Sequence, residues 1–305
     1  MKISSWNEWD TVKEMVVGIA DYANWPSSDP VFALESMKTT WKDSPPPAGP
    51  VPSWIIEETN QDLDGLVDIL VKSSVKVHRP GNFDFVTAQG MYNYCPRDRL
   101  LVAGDVIVDP AMMYPCRDME SKCLDFVLEN NQVLHMPRSQ GMILDAANIV
   151  KLNDTWLFLE SPSGNRSAFE WLQQQFPNIK IETCNFYAGV HIDSTVVLLD
   201  DGIVMLNAHR VSPDNVPKCL SKWEKIWIED CVPQEFYQYP YASKWVGMNA
   251  FSIDPRTVIV DAAQTDIIQK LEQRGFTVIP HTLRHSRTLG GGFHCVTLDT
   301  WRHSS

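Results

Sequence analysis

Four stretches of the chain share one pattern, in which a polar residue precedes an apolar segment, a tight polar turn and a second apolar segment. They are YCPRDRLLVAGDVIVDP, ILDAANIVKLNDTWLFLE, VHIDSTVVLLDDGIVMLN and GMNAFSIDPRTVIVD, with turns at 104–105, 153–154, 200–202 and 254–255. Apolar segments on both sides of such turns predict β-hairpins. A fifth hairpin is expected to pair FHCVTLD near the C-terminus with NEWDTVKEMVVGIA near the N-terminus, which would close a ring.

Amphipathic segments lie between these hairpins, with apolar residues recurring three and four positions apart. They predict helices at NQDLDGLVDILVKS (60–73), RSAFEWLQQQFP (166–177), LSKWEKIWIED (220–230) and TDIIQKLEQRGF (265–276). Each repeat is therefore expected to be one hairpin plus one helix. The proline-rich stretch 42–52 predicts a surface loop, because consecutive prolines cannot continue a helix or a central strand.

The polar residues that lead the five hairpins are Asp98, Asp145, His191, Asn249 and Cys295. They recur with a period of about 50 residues, which is typical of a radial or solenoidal array of repeated units. If the units surround an axis, the five leading side chains meet in one central space. A turn-forming role explains any single Asp or Asn equally well. A histidine and a cysteine at matching positions favour a functional site.

Length and composition narrow the function further. The only linker-like stretch, 42–52, comes too early to divide the 305 residues, so we expect a single domain spanning 1–305. The net charge of -12 argues against a nucleic acid partner and is compatible with a small cationic substrate. The N-terminus lacks the features of a signal peptide and no apolar run could span a bilayer, so we expect a cytoplasmic protein with no membrane partner.

Seven cysteines, an odd number with no CxxC pair, disfavour a disulfide framework and a structural zinc site. The cysteines therefore give no sign of a structural metal; the reaction that the family resemblance below implies needs no metal and no dissociable cofactor. A homodimer is compatible with the sequence, which does not fix the oligomeric state.

The leading residues form a set suited to chemistry on a cationic carbon. The Cys295 thiolate would be the nucleophile, and His191 would exchange a proton with a leaving amine. Asp145 would hold the His191 ring in one orientation. Asp98 and Asp193 would make the pocket negative and accept bidentate hydrogen bonds from a planar guanidinium. Since these carboxylates raise the pKa of the thiol, a bound guanidinium is expected to help ionise Cys295.

Three glycines, at positions 290–292, stand directly ahead of the cysteine in TLGGGFHCVTLD. Glycines allow the backbone to approach a ligand without an intruding Cβ atom. Gly291 and Gly292 are therefore expected beside the substrate.

Six stretches resemble the glycine amidinotransferase family, within the guanidino-group-modifying superfamily that also contains the arginine deiminases. They follow the family's order over nearly the whole chain: NEWD (7–10), PRD (96–98), LDAAN (144–148), HID (191–193), SKWVGMN (243–249) and LGGGFHC (289–295). The resemblance implies an α/β fold that is a five-bladed α/β propeller. It also implies a Cys295, His191 and Asp145 triad, with Asp98 and Asp193 binding the guanidinium.

The resemblance further implies contacts to the rest of the substrate. Arg210 and Ser243 match positions that contact the carboxylate and amino end of the donor amino acid. Asn249, Gly291 and Gly292, in two of the matching stretches, are counted as substrate-binding. Family members that use glycine carry different residues where this chain has Ala188 and Val190, which counts against glycine as the acceptor and leaves the acceptor amine unidentified.

The implied reaction moves the amidino group of arginine, or a related guanidino donor, to an amine acceptor through an amidino-cysteine, with ping-pong kinetics. Two alternatives stay open. A deiminase or dihydrolase would use the same thiol, histidine and aspartate but let water attack the intermediate. A non-catalytic propeller would bind a cationic ligand without turnover.

Overall fold

The computed structural model describes residues 1–26, 28–32, 47–185, 191–233 and 241–303. Within them the chain forms three-stranded sheets connected by helical segments, a mixed α/β architecture. The predicted α/β class is therefore confirmed.

Five sheets share one plan, in which the middle strand pairs antiparallel with one neighbour and parallel with the other. With the middle strand named second, the sheets are β17 (Thr297–His303), β1 (Thr11–Val17) and β4 (Lys76–His78); β5 (Leu101–Ala103), β6 (Val106–Asp109) and β7 (Gln132–His135); β8 (Ile149–Leu152), β9 (Thr155–Leu159) and β10 (Lys180–Cys184); β11 (Val196–Asp200), β12 (Ile203–Asn207) and β13 (Glu224–Ile228); β14 (Phe251–Asp254), β15 (Thr257–Asp261) and β16 (Thr277–His281).

The antiparallel pair in each sheet is the predicted hairpin. The four internal hairpins turn at the expected positions, and β17 pairs with β1 from Val17 opposite Thr297 to Thr11 opposite His303. The two ends of the chain therefore complete one sheet, as predicted.

The predicted loop at 42–52 is wrong in part. Residues 42–46 lie outside the described residues, whereas β3 (Gly49–Pro50) pairs with β2 (Asn24–Trp25). Pro50 is exposed, so the backbone N–H that proline lacks leaves no buried acceptor without a hydrogen bond.

Parallel strands need a crossover, and helices supply most of them. The α-helices are α1 (Ser53–Lys72), α2 (Phe85–Ala88), α3 (Pro96–Arg99), α4 (Asp125–Leu128), α5 (Arg166–Gln175), α6 (Thr265–Glu272) and α7 (Ser286–Leu289). Short 3-10 helices cover Pro115–Leu124, Arg138–Gln140, Ala146–Asn148, Lys218–Leu220 and Lys244–Met248. The predicted helices at 60–73, 166–177 and 265–276 are confirmed as α1, α5 and α6.

The helix predicted at 220–230 is wrong, because this segment contains the strand β13. Ile226 and Ile228 are buried while Trp227 between them is half-buried, so burial alternates with the period of a strand. Isoleucine and tryptophan also suit a pleated, half-buried surface, and pairing with β12 satisfies the backbone. The expected plan of a hairpin plus a helix therefore fails in this repeat.

Buried polar side chains connect the first strands of the five sheets. The contacts join Lys151 Nζ to Val102 O (2.9 Å), Lys151 Nζ to Asp299 Oδ2 (4.0 Å), Arg302 Nη1 to Ser252 O (3.0 Å) and Ser252 Oγ to Leu198 O (3.4 Å). Buried charges are tolerated when they are paired in this way. These contacts hold the first strands together, so the residues that precede them also lie near one another.

Candidate active site

The thiol of Cys295 lies just before β17 and is almost fully buried, at 3% exposure. Its Sγ donates to Asp193 Oδ2 at 3.1 Å, and its backbone N–H donates to Asn249 Oδ1 at 3.1 Å. Asn249 Nδ2 in turn donates to the Asp193 carbonyl at 3.2 Å. Residues from three repeats are thus joined around the sulfur, as the sequence predicted.

The glycines before Cys295 leave space that other side chains of the protein fill. A Cβ on Gly291 would lie 2.5 Å from Cys95 Sγ and 3.0 Å from Cys295 Cβ, and one on Gly292 would lie 2.6 Å from Asn249 Cβ. Close packing around the thiol therefore requires both glycines. Their contact with a substrate stays a prediction.

His191 is the second predicted catalytic group and is held on two sides. Its Nε2 donates to Asp145 Oδ2 at 2.9 Å, and its Nδ1 lies 3.6 Å from Asp98 Oδ1. Its backbone has φ of 65° and donates to Asn148 Oδ1 at 3.0 Å. A left-handed histidine is uncommon and persists only where its surroundings hold it. Burial lowers the pKa of His191, but Asp98 and the Asp145 hydrogen bond raise it to about 9.

Asp98 offers one carboxylate oxygen to the site. Its Oδ2 accepts from Arg117 Nη1 at 2.9 Å, while Arg117 donates through Nε and Nη2 to both oxygens of Glu120. Asp98 Oδ1 is buried and has no hydrogen-bond partner within the described part of the chain. Burial raises the pKa of Asp98 above its ordinary value, although His191 and Arg117 act in the opposite direction. Arg117 carried no signal in the sequence, because it belongs to no repeat position or motif.

The protein itself does not favour the thiolate. The hydrogen bond with Cys95, burial and the charge of Asp193 raise the pKa of Cys295 well above its ordinary value. Burial is also the main reason that the pKa of Cys95 is raised. The raised pKa opposes deprotonation of Cys295. That a bound guanidinium helps to ionise the thiol stays a prediction.

His294 and Glu8 belong to the same cluster, although the sequence analysis gave them no role. His294 Nδ1 lies 3.1 Å from Asp193 Oδ2, and its Nε2 lies 3.2 Å from Glu8 Oε2. Both residues lie in stretches that match the family, GGGFHC and NEWD, and this was their only indication in the sequence. The position of His294 next to Cys295 does not indicate which carboxylates its ring contacts in the fold.

Arg210 and Ser243 lie further from the thiol. Arg210 is half-buried and donates to Thr195 Oγ1 at 2.9 Å, two residues beyond Asp193. Ser243 is exposed and precedes the 3-10 helix Lys244–Met248, which ends at Asn249. Their contact with the donor stays a prediction.

Metal ligands and membrane-spanning helices also bear on function. In the parts of the chain with described side chains, no group of three or more His, Cys, Asp or Glu residues could hold a metal ion. Among the described helices, none combines the length and apolar character needed to cross a membrane.

Comparison with known proteins identifies the family. No protein-family model matches the chain. The chain is 35% identical to inosamine-phosphate amidinotransferase 1 from Streptomyces glaucescens, over 99% of this chain and 97% of that protein. It is 25% identical to the mitochondrial glycine amidinotransferase of Gallus gallus, over 99% of this chain and 83% of that protein. The solved structure of inosamine-phosphate amidinotransferase StrB1 from Streptomyces griseus is similar with a TM-score of 0.92, at 34% identity over 99% of this chain and 97% of that one. The chain therefore belongs to the amidinotransferase family, enzymes that transfer amidino groups.

Proposed function

We propose that this amidinotransferase moves the amidino group of arginine, or of a related guanidino donor, to an amine acceptor through a covalent intermediate on Cys295. The observation that carries the proposal is that a buried thiol bonded to Asp193 adjoins His191, which Asp145 anchors beside Asp98. The backbone N–H of Arg97, the neighbour of Asp98, donates to the Cys295 carbonyl and links the two groups. Family membership supports transfer over the hydrolytic alternative.

The donor guanidinium binds between Asp98 and Asp193 in this proposal. Asp98 Oδ1 is a buried acceptor without a partner among the described residues, and such an atom is costly unless a donor reaches it. A guanidinium N–H supplies that donor, and the cation offsets the carboxylates that raise the pKa of Cys295. Binding the substrate thus favours release of the Cys295 proton to solvent and leaves the thiolate that attacks it, and the sulfur regains this proton when the product leaves.

In the first half-reaction the Cys295 sulfur attacks the guanidino carbon and forms an S–C bond. The bond from that carbon to the side-chain nitrogen of the donor breaks, and His191 gives this nitrogen a proton. Because Nε2 of His191 is held by Asp145, the transferred proton comes from Nδ1. Ornithine leaves when the donor is arginine, and the amidino group stays on sulfur.

In the second half-reaction the neutral His191 takes a proton from the acceptor amine. The amine nitrogen attacks the amidino carbon, the S–C bond breaks and Cys295 is restored. The cycle begins and ends with a protonated His191, and no metal or dissociable cofactor enters it. Arg210 and Ser243 hold the amino acid end of the donor in this proposal, with Asn249, Gly291 and Gly292 around the reacting group.

The five sheets form the blades of a five-bladed α/β propeller in this proposal, within a single domain spanning 1–305. The shared strand plan, the pairing of the two chain ends and the polar contacts between first strands support it. The site then lies on the propeller axis, where residues from every blade converge. The cytoplasmic location and the homodimer stay predictions from the sequence.

The acceptor is expected to differ from glycine, but Ala188 and Val190 lie outside the described residues. The decisive experiment incubates the chain with arginine, with and without a panel of glycine, lysine and inosamine phosphate. Ornithine, citrulline, urea and guanidino products are quantified by mass spectrometry. Ornithine formed only when an amine is present supports transfer. Citrulline or urea formed from arginine alone would overturn it in favour of hydrolysis.

A Cys295→Ala variant separates the enzyme from a binding module. If the protein is an enzyme, this variant loses turnover and no longer forms the covalent adduct with the mass of one amidino group. Its thermal unfolding transition stays cooperative, which shows that it is folded. Wild-type protein that binds arginine but forms neither adduct nor product would instead indicate a binding module.

A further inference from the structure

We propose that His294 is a positioning residue for the transfer reaction: as an imidazolium between Glu8 and Asp193, it fixes the Asp193 carboxylate and brings a positive charge near the Cys295 sulfur. The inference rests on the proposed function, because it assigns a role within the same site.

The protonation state of His294 follows from its partners. Its two ring nitrogens face carboxylate oxygens, Asp193 Oδ2 at 3.1 Å and Glu8 Oε2 at 3.2 Å. An ionised carboxylate only accepts hydrogen bonds, and a neutral imidazole has a single N–H to give. Both contacts are hydrogen bonds only if both nitrogens carry a proton, so the ring is cationic.

The charged groups around the ring agree with this state. Burial and Arg97 lower the pKa of His294, but the hydrogen bonds to Asp193 and Glu8 raise it above its ordinary value overall. Burial raises the pKa of Glu8, yet Lys151 and His294 bring it down to about 2. Burial likewise opposes ionisation of Asp193, and its bond to His294 leads the effects that hold its pKa below the ordinary range. Both carboxylates are therefore ionised acceptors.

One oxygen connects the imidazolium to the nucleophile. Asp193 Oδ2 accepts from His294 Nδ1 and from Cys295 Sγ, each at 3.1 Å, so the nitrogen and the sulfur are at most about 6 Å apart. The backbone N–H groups of both residues donate to Asn249 Oδ1, at 2.8 and 3.1 Å. The ring, the carboxylate and the thiol are thus fixed relative to one another.

Water screens this cluster poorly on one side. A cavity of about 20 Å³ is lined by Glu8, Asp193 and His294 together with apolar side chains that include Val196 and Ala250. Such a volume has room for about one water molecule. With so little solvent, charges separated by about 6 Å interact more strongly than they would in bulk water.

Two effects follow for the reaction. The imidazolium offsets the repulsion that Asp193, Asp98 and Cys95 exert on a thiolate at Cys295. It also holds the Asp193 carboxylate in the orientation needed to accept hydrogen bonds from a donor guanidinium. Loss of His294 should therefore impair both sulfur reactivity and donor binding.

The test compares His294→Gln, which removes the cation, with His294→Lys, which keeps one. Alkylation of Cys295 by iodoacetamide is measured against pH, and the peptide containing Cys295 is followed by mass spectrometry. An opposite charge at this separation shifts a pKa by about one unit or more. We expect the Gln variant to raise the midpoint of alkylation by about one pH unit and the Lys variant to restore most of that shift. The kcat/KM for arginine should fall about 100-fold in the Gln variant.

His135→Gln is the matched control, because His135 also faces a carboxylate, Asp109, but is 70% exposed and outside the site. It should leave the midpoint and kcat/KM unchanged. A His294→Gln variant with the wild-type midpoint would overturn the inference, even if its turnover were low, because a structural defect lowers turnover without the loss of a charge beside the thiol. A defect that exposed the thiol would lower the midpoint, which is opposite to the rise expected here.

A second measurement needs no variant. Nitrogen-15 NMR of the wild-type His294 ring should show both nitrogens protonated at pH 7, and a neutral ring would overturn the inference. Alkylation and NMR require no turnover, so they give a result even if arginine and an amine yield no ornithine, which would overturn the proposed function instead.

Discussion

Replacing Asp145 by asparagine should move the alkaline limit of the donor half-reaction to lower pH. Burial lowers the pKa of His191, whereas Asp98 and the hydrogen bond to Asp145 raise it from 6.5 to about 9. In the proposed first half-reaction His191 acts as an acid, so its protonated form is the active one. That form predominates below pH 9 and disappears as the pH rises through the pKa, which places the alkaline limit near pH 9.

The size of the effect follows from this shift. A change from 6.5 to about 9 corresponds to about 3 kcal/mol in favour of the protonated ring. Asp98 and Asp145 together cause this rise in the pKa of His191, so Asp145→Asn should lower the alkaline midpoint of ornithine release by about one to two pH units. An amide can also hold the ring in the wrong tautomer, which costs on the order of 10⁴-fold in kcat when a carboxylate orients a catalytic histidine.

The assay is rapid-quench measurement of ornithine release from arginine in a single turnover, between pH 6 and 10. Asp109→Asn is the matched control, because Asp109 also pairs with a histidine, His135 at 2.9 Å, away from the site. That variant should keep the wild-type midpoint. An Asp145→Asn variant whose alkaline midpoint stays near pH 9 would refute the assignment of His191 as the acid oriented by Asp145.

Three further changes test the packing and charges. Gly291→Ala should reduce kcat about 100-fold while the circular dichroism spectrum stays native, because the new Cβ would lie 2.5 Å from Cys95 Sγ and displace the residues around the Cys295 thiol. An unchanged kcat would contradict this prediction. Arg117→Met should lower the free energy of unfolding in urea by about 3–5 kcal/mol and raise the KM for arginine, since it leaves Asp98 without its buried partner. An unaltered KM would contradict the proposed role of Asp98. Leu66→Ala, in the buried face of α1, should cost about 2–5 kcal/mol in urea unfolding and spare the pH profile of the folded enzyme; a shifted profile would contradict the separation of core and site.

Ionisation of the buried Cys295 thiol is opposed by the groups around it. Cys95, burial and Asp193 raise the pKa of Cys295, so the resting chain keeps the sulfur protonated. In the proposed reaction a cationic donor is then both substrate and activator, and a neutral molecule of similar shape is expected to leave the thiol unreactive.

The sequence alone determined the hairpins and the spacing of the candidate site residues. Turn chemistry is local, so glycine, asparagine and aspartate between apolar segments predicted four hairpins correctly. The repeat of about 50 residues then placed Asp98, Asp145, His191, Asn249 and Cys295 at equivalent points. The structure shows contacts of His191 with Asp145 and Asp98, and of Cys295 with Asn249.

Only the tertiary structure decided what surrounds those residues. The segment at 220–230 carries helical spacing, yet it forms β13 because β12 offered an open edge and a buried surface to its isoleucines. The partners of Asp98 and Asp193, namely Arg117 and His294, lie 19 and 101 residues away along the chain. Local patterns encode turns and periodicity, whereas pairing between distant side chains exists only in the folded chain, which is why Arg117 and His294 could not be identified from the sequence as partners of these carboxylates.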